Sequence, residues 1–254
     1  MPYTKEMICP VGGEKFNFTT TASYTIFGSR PDGKPFGSWM FPLEMPECPS
    51  NGLVIFDEFT DADKTALASA LDDEAYKTVR KADTSYYRAM WLARAIGRDV
   101  RMQTYLLRQA IWQTDENSAL RRRYFGEYLA LAPSMPRDGF SSEDLWLNLS
   151  FANAERELGQ FEAARNRLAT VDLSGLRLDK DSDESVAEMT SRYRTYAAKM
   201  LTAIARRDAD LDPIDMMDDN QAAQACREKT PLNTWETAWC ARPEIAAIHA
   251  KWKD

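Results

Sequence analysis

Cys9-Pro10-Val11-Gly12-Gly13 and Cys48-Pro49-Ser50-Asn51-Gly52 are the two stretches whose reading decides the fold of this chain. Each has the spacing Cys-Pro-x-Cys-Gly of a metal-binding knuckle with its second cysteine replaced, by Gly12 in one and by Asn51 in the other. Pro and Gly still set the backbone of such a turn when the second thiol is gone. The spacing therefore predicts two tight turns of one small fold, and speaks to architecture rather than to activity. A structural zinc site takes four thiolate or imidazole ligands. Gly12 offers no donor and Asn51 a poor one, so no cofactor is expected, and Cys9 and Cys48 are read as neighbouring thiols held by apolar packing. If zinc is bound, the missing ligands have to come from Cys226, Cys240 or His249, which lack knuckle spacing. A Cys9–Cys48 disulfide is open under oxidation but is not expected in a reducing cytosol.

Around the two turns, residues 1–60 have a grammar of their own. Six of the eleven glycines fall here, together with Pro2, Pro10, Pro31, Pro35, Pro42, Pro46 and Pro49. Neither residue suits a helix interior. Between them lie short stretches rich in Phe, Thr, Tyr and Ile, at 16–21, 23–27 and 53–56, which predict strands. Arg30-Pro31-Asp32-Gly33 is a turn signal. The reading is a small β module with long loops.

From Thr60 onward the pattern is helical. Thr60 with Asp63 and Ser141 with Asp144 are capping patterns. Helices are predicted over 60–71, 73–81, 85–96, 100–114, 117–131, 141–158, 161–171, 182–207 and 213–229, with short helices after Asn233 and from Pro243. Leu147, Phe151, Ala154 and Leu158 form one apolar stripe, and Phe161, Ala164, Leu168 and Val171 form the next. Two helices joined by the short Gly159-Gln160 turn can bury these stripes against each other. The pair around Gly97 repeats the arrangement.

The run Glu155-Arg156-Glu157-Leu158-Gly159-Gln160-Phe161-Glu162-Ala163-Ala164 resembles the middle of a tetratricopeptide repeat, with Gly159 at the turn, Phe161 after it and Ala164 in the second helix. Ala95-Ile96-Gly97 is a weaker copy. Repeats of this kind run about 34 residues and stack in threes or more. Together with the two turns and the helix 86–97, with its Tyr-Tyr-Arg-Ala-Met-Trp-Leu-Ala-Arg core, the chain resembles a bacterial family that joins an N-terminal zinc-ribbon-like module to tetratricopeptide-like helices. The resemblance covers most of residues 7–171. It implies an α+β, mainly α protein: a degenerate zinc-ribbon-like β module over 1–60, packed on a tetratricopeptide-like array of helical hairpins over 61–254. It lends no reaction.

Bulk properties exclude more than they assign. Over 254 residues the apolar fraction is 44%, enough for a substantial core. A net charge of −7 argues against nucleic acid as partner, because phosphate contact needs clustered Lys and Arg. The one basic run, Arg121-Arg122-Arg123, reads as a solvated helix face. No stretch approaches the roughly 18 apolar residues of a membrane span, and the charges in residues 1–15 do not suit a secretion signal. A soluble cytoplasmic protein is expected.

Catalytic motifs fail in turn. Residues 28–34 fit G-x-x-x-x-G-K, but Pro35 follows in place of the Ser or Thr that holds magnesium. His249 is the single histidine, so any nucleophile–histidine pair would need it. Binding is better supported. Trp39-Met40-Phe41 lies between Gly37 and Pro42, either tucked onto the helices or serving as an exposed anchor. Tyr86, Tyr87, Trp91 and Arg94 lie on the first helix of the first hairpin, where a repeat array presents its concave face; the same aromatics also suit a core. The expectation is a protein–protein interaction or scaffold protein with a peptide or protein partner and no catalysis of its own. A hydrolase or transferase with a carboxylate-based site between the two parts is the alternative, and a structural zinc-binding protein a third.

Overall fold

A computed structural model describes residues 2–135, 140–178, 180 and 182–251. The fold is α+β and mainly helical. It divides into two compact units, residues 1–27 with 34–136, and residues 28–33 with 137–254. Residue 60, where the composition changes, lies inside the first unit. No helix among the described residues is long and apolar enough to cross a membrane.

In the first unit, strand β1 (Pro2–Ile8) pairs antiparallel with β2 (Lys15–Thr21), in a register running from Ile8↔Lys15 to Pro2↔Thr21. The first quoted turn closes this hairpin. Strands β3 (Ile26–Ser29) and β4 (Pro35–Gly37) form a second two-stranded sheet. The strand expected at 53–56 is reduced to a single antiparallel bridge, Glu47↔Val54, flanking the second turn. β1 was not anticipated. Its residues are almost all exposed, so no buried face marks it in the sequence, and its partner strand supplies the order.

The two turns are built alike. Cys9 N–H donates to Glu14 O and Gly13 N–H to Cys9 O; Cys48 N–H donates to Leu53 O and Gly52 N–H to Cys48 O. Gly13 (φ 70) and Gly52 (φ 73) hold the left-handed position that each turn needs.

Five helices follow: α1 (Asp61–Asp72), α2 (Glu74–Ala82), α3 (Ser85–Ala95), α4 (Val100–Trp112) and α5 (Ser118–Leu131). The Thr60/Asp63 capping box forms as read. Cys9, Cys48 and Leu53 share one core cluster with Leu67, Leu71, Tyr76 and Leu92 from the helices, and Phe16, Phe56 and Trp91 pack on it. Polar ties reinforce this core. The Tyr76 hydroxyl donates to Gly52 O at 2.8 Å and the Tyr86 hydroxyl to Leu43 O at 2.7 Å. The Arg88 guanidinium forks onto Glu47 at 2.6 and 2.7 Å, and Arg98 bonds Asp57 and Asp63.

The second unit holds α6 (Ser142–Glu157), α7 (Phe161–Ala169), α8 (Val186–Ala205), α9 (Asp219–Glu228), α10 (Thr234–Cys240) and α11 (Pro243–Lys251). The single helix expected over 213–229 is instead a 3-10 turn, Ile214–Met216, followed by α9, because Asp218 and Gln221 form a capping box that starts a new helix. α8 starts at Val186 for the same reason, capped by Ser185 and Glu188. α6 is buried on nearly every face. Leu145, Leu149 and Ala152, outside the expected stripe, join Phe161, Ala164 and Leu168 in the unit's main cluster.

Candidate functional site

The sequence-derived candidates separate into three places. Cys9 and Cys48 are joined to each other in a disulfide, with Cα atoms 5.5 Å apart, rather than lying side by side as thiols. Cys226 and Cys240 are likewise joined, linking α9 to α10. The remote pair is thus committed to its own unit and supplies nothing to a knuckle. His249 bonds through Nε2 with Ala223 O at 2.8 Å on the same small cluster of helices.

The α3 aromatics are interior. Tyr86 is 6% exposed and Tyr87 7%. Tyr87 stacks on Tyr124 with ring centroids 4.4 Å apart, and its hydroxyl donates to Glu127 at 2.7 Å. Burial pushes both phenols well above the ordinary tyrosine range, and for Tyr87 the Glu127 carboxylate adds to the effect. Trp91 is half-buried against the Tyr76 ring, 5.3 Å away. Arg94 is exposed and donates to Gln103. Tyr86 and Tyr87 therefore take the core role that their spacing also allowed, as buried residues of the first unit.

Trp39-Met40-Phe41 behaves differently. It lines a cavity of about 550 Å³ in the first unit, with Thr19 and Thr20 from the end of β2, Lys34, Pro42 and Glu44 from the irregular segment, and Trp112, Gln113, Asp115 and Glu116 from the end of α4 and the turn after it. Three contacts shape the irregular segment. The Phe41 ring meets Tyr24 edge-on at 5.1 Å. Ser38 N–H donates to Thr25 O at 2.9 Å, across a strand where Gly37 leaves no room for a side chain. Lys34 Nζ reaches Trp112 O at 2.8 Å and Asp115 at 2.7 Å. This contact uses the lysine of the G-x-x-x-x-G-K stretch, and β4 rather than a helix follows it. On the other wall, Gln113 accepts from Tyr86 N–H at the start of α3 and donates to Ser85.

Within this frame Met40 is 79% exposed, while Trp39 and Phe41 are half-buried. The sequence reading found the triplet but not Trp112, which it placed inside an ordinary helix. Asp115 is shared by Lys34 and Arg121, and Glu44 and Glu116 lie exposed on the rim. The cavity lining thus combines the apolar groups of Trp39, Met40, Phe41, Pro42 and Trp112 with polar ones, among them the carboxylates of Glu44, Asp115 and Glu116. Its volume falls within the ordinary range of ligand-binding cavities.

A second cavity, of about 450 Å³, lies in the second unit, walled by Trp146, Tyr193, Tyr196, Met216 and the 29–31 turn. Its polar groups are largely committed: Tyr193 to Ser142 O, Tyr196 to Pro31 O and Arg192 to Glu184. No protein-family model, curated protein or solved structure matches this chain.

Proposed function

We propose that this chain is a protein-interaction module that holds a short peptide segment carrying an apolar side chain flanked by lysine or arginine. The observation that supports this reading is Met40, almost fully exposed between Trp39, Trp112 and an acidic rim. An exposed Met beside aromatic faces is an adaptable contact surface. Glu44 and Glu116 favour a cationic partner and disfavour an anionic one. A degenerate zinc-ribbon-like module with tetratricopeptide-like hairpins is the architecture we assign to it. The matched hydrogen bonds of the two turns support the first part. The positive-φ glycines at 97 (φ 71) and 159 (φ 76), which close two helix pairs with one bonding pattern, support the second. The carboxylate-enzyme reading has less support, since Glu47, Asp57 and Asp63 are each held by an arginine. Asp63 is held below the usual carboxylate range, by the Thr60 backbone N–H first and then by Arg98.

The test is selection of peptides from a random library on the intact protein. Enriched sequences should pair an aromatic or aliphatic residue with Lys or Arg, and Met40→Asp should weaken them at least tenfold while Arg94→Ala leaves them unchanged. Raised salt should weaken binding in parallel. Enrichment of acidic peptides, or binders indifferent to Met40→Asp, sinks the proposal.

A further inference from the structure

Positions 9, 12, 48 and 51 are the four ligand positions of a knuckle pair, and they converge in space. Cys9 and Cys48 are bonded to each other. The Asn51 amide nitrogen lies 3.7 Å from Cys9 Sγ and donates to Val11 O at 2.8 Å. A Cβ placed on Gly12 would lie 3.9 Å from that same nitrogen. The residues present do not fit zinc. Two sulfurs in a disulfide carry no thiolate, an amide is a poor ligand, and Gly12 contributes none. Gly12 also sits at φ 98, a conformation that a cysteine side chain rarely adopts, so the first turn has moved away from ligand geometry. Asn51 meanwhile knits the turns by hydrogen bonds, accepting from Leu53 N–H at 2.9 Å on the other side of its side chain.

We propose that a covalent cross-link has replaced the knuckle metal in this chain, and that the protein completes its fold in an oxidising compartment rather than in the reducing cytoplasm. The second disulfide supports this independently, since all four cysteines are paired. Cytosolic thiol buffers would keep such pairs reduced. The bond forms as the Cys9 and Cys48 thiols give up two protons and two electrons. A disulfide carrier, small-molecule or protein, takes the electrons through a mixed disulfide and leaves as two thiols. Once formed, the bridge is sealed: Cys9 is 1% exposed and Cys48 0%, so an attacking thiolate reaches it only after local opening.

Two measurements test the proposal. Protein taken from its native host, acid-quenched and alkylated before reduction, should show every cysteine blocked, with a Cys9–Cys48 linked peptide on digestion; free thiols in that sample overturn the compartment assignment. For the purified protein, a reductant should lower the melting temperature by about 10 °C while a zinc chelator leaves it unchanged. Reduced wild-type protein titrated with zinc alone should bind less than a tenth of an equivalent at this site. A chelator-induced loss of stability, or one equivalent of zinc bound by the reduced fold and lost in Cys48→Ser, overturns the replacement.

Discussion

The two compact units carry one disulfide each and several ion pairs, yet they place these devices differently. In the first, Cys9–Cys48 closes a loop of 39 residues inside the core, and long-range ion pairs join Glu47 to the buried Arg88 and Asp57 and Asp63 to the half-buried Arg98. In the second, Cys226–Cys240 closes 14 residues between two short helices, and an arginine occupies the interior. Arg156 is wholly buried. Its Nη1 donates to Asp208 O and Asp210 O at 2.9 and 2.8 Å, and its Nε and Nη2 to Asn153 at 3.0 and 2.9 Å. The first unit is thus tied by a bond between distant segments, and the second by one side chain that satisfies the backbone where the chain turns after α8. Arg88 and Arg121 are buried in the first unit too, and Arg121 donates to Ile111 O, but Arg156 is the one with no exposure, and it satisfies two carbonyls at once.

The sharpest way to break this contrast is Arg156→Met. It leaves two carbonyls and the Asn153 amide oxygen without a donor inside the fold, and should cost about 3–5 kcal/mol. Arg156→Lys should not rescue it, because an ammonium cannot reproduce the fork. Hydrogen exchange resolved by segment is the measurement: amides of α6–α8 should lose protection while those of α3 and α4 keep theirs. Uniform loss across both units would show that the arginine supports more than its own unit.

Next in size are the bridges. In the chain-entropy account, Cys9→Ala with Cys48→Ala costs about 4 kcal/mol for its long loop, and Cys226→Ala with Cys240→Ala about 3 kcal/mol for the shorter one. The first pair should exceed its entropic figure, since it also removes two buried sulfurs from a packed cluster, whereas the second pair is half-buried. Urea unfolding of the two double variants gives the order directly. Equal losses would mean that the first unit's core closes over the missing sulfurs.

These devices were unequally visible before the structure. The two turns were legible because Pro and Gly fix a backbone wherever they fall. The capping box at Thr60 and the N-cap at Ser141 were legible because a cap is local. The Cys9–Cys48 bond was not, because pairing depends on distance between segments 39 residues apart and on redox conditions that no spacing encodes. Arg156 was hidden for a similar reason. In Glu155-Arg156-Glu157 it reads as one charge of a solvated run, and besides the nearby Asn153 its partners are carbonyls more than fifty residues away. The Trp39-Met40-Phe41 triplet could be found from its irregular setting. Trp112 could not, because an aromatic at helical spacing looks like core until the fold shows which wall it forms.

A smaller effect separates the units by pH. Burial pushes the Tyr76 phenol up to about 12, against 10.0 for an ordinary tyrosine, partly opposed by Arg88. A raised folded-state pKa contributes stability that is complete below pH 10 and is lost as pH climbs through about 12. The loss is roughly 2–3 kcal/mol. Tyr86 and Tyr87 shift in the same direction in the first unit, and Tyr193 does so in the second. Alkaline titration followed by segment-resolved exchange should therefore open the first unit before the second. Tyr76→Phe should lower stability at neutral pH, through loss of the bond to Gly52 O, and reduce the alkaline slope.

The smallest effect bears on the helix turns that both units share. Three helices end with one hydrogen-bond pattern: Arg98 N–H to Ala93 O after α3, Gln160 N–H to Glu155 O after α6, and Asp208 N–H to Ala203 O after α8. Gly97 and Gly159 hold the left-handed position in the first two, but Arg207 holds it in the third, at φ 58. A left-handed non-glycine residue costs about 1–2 kcal/mol, because its Cβ crowds the following carbonyl. Part of that is returned by the Arg207 guanidinium, which lies 4.9 Å from the Phe161 ring centroid and is worth about 0.5–1 kcal/mol at an exposed site. Arg207→Gly relieves the backbone and gives up the ring contact, so it should raise stability by less than about 1 kcal/mol. Arg207→Val gives up the contact and worsens the backbone, and should lower stability by about 1 kcal/mol or more. Chemical denaturation of the two variants beside wild type separates the terms. If both destabilise equally, the contact with Phe161 governs this turn, and the third helix end differs in kind from the two that glycine closes.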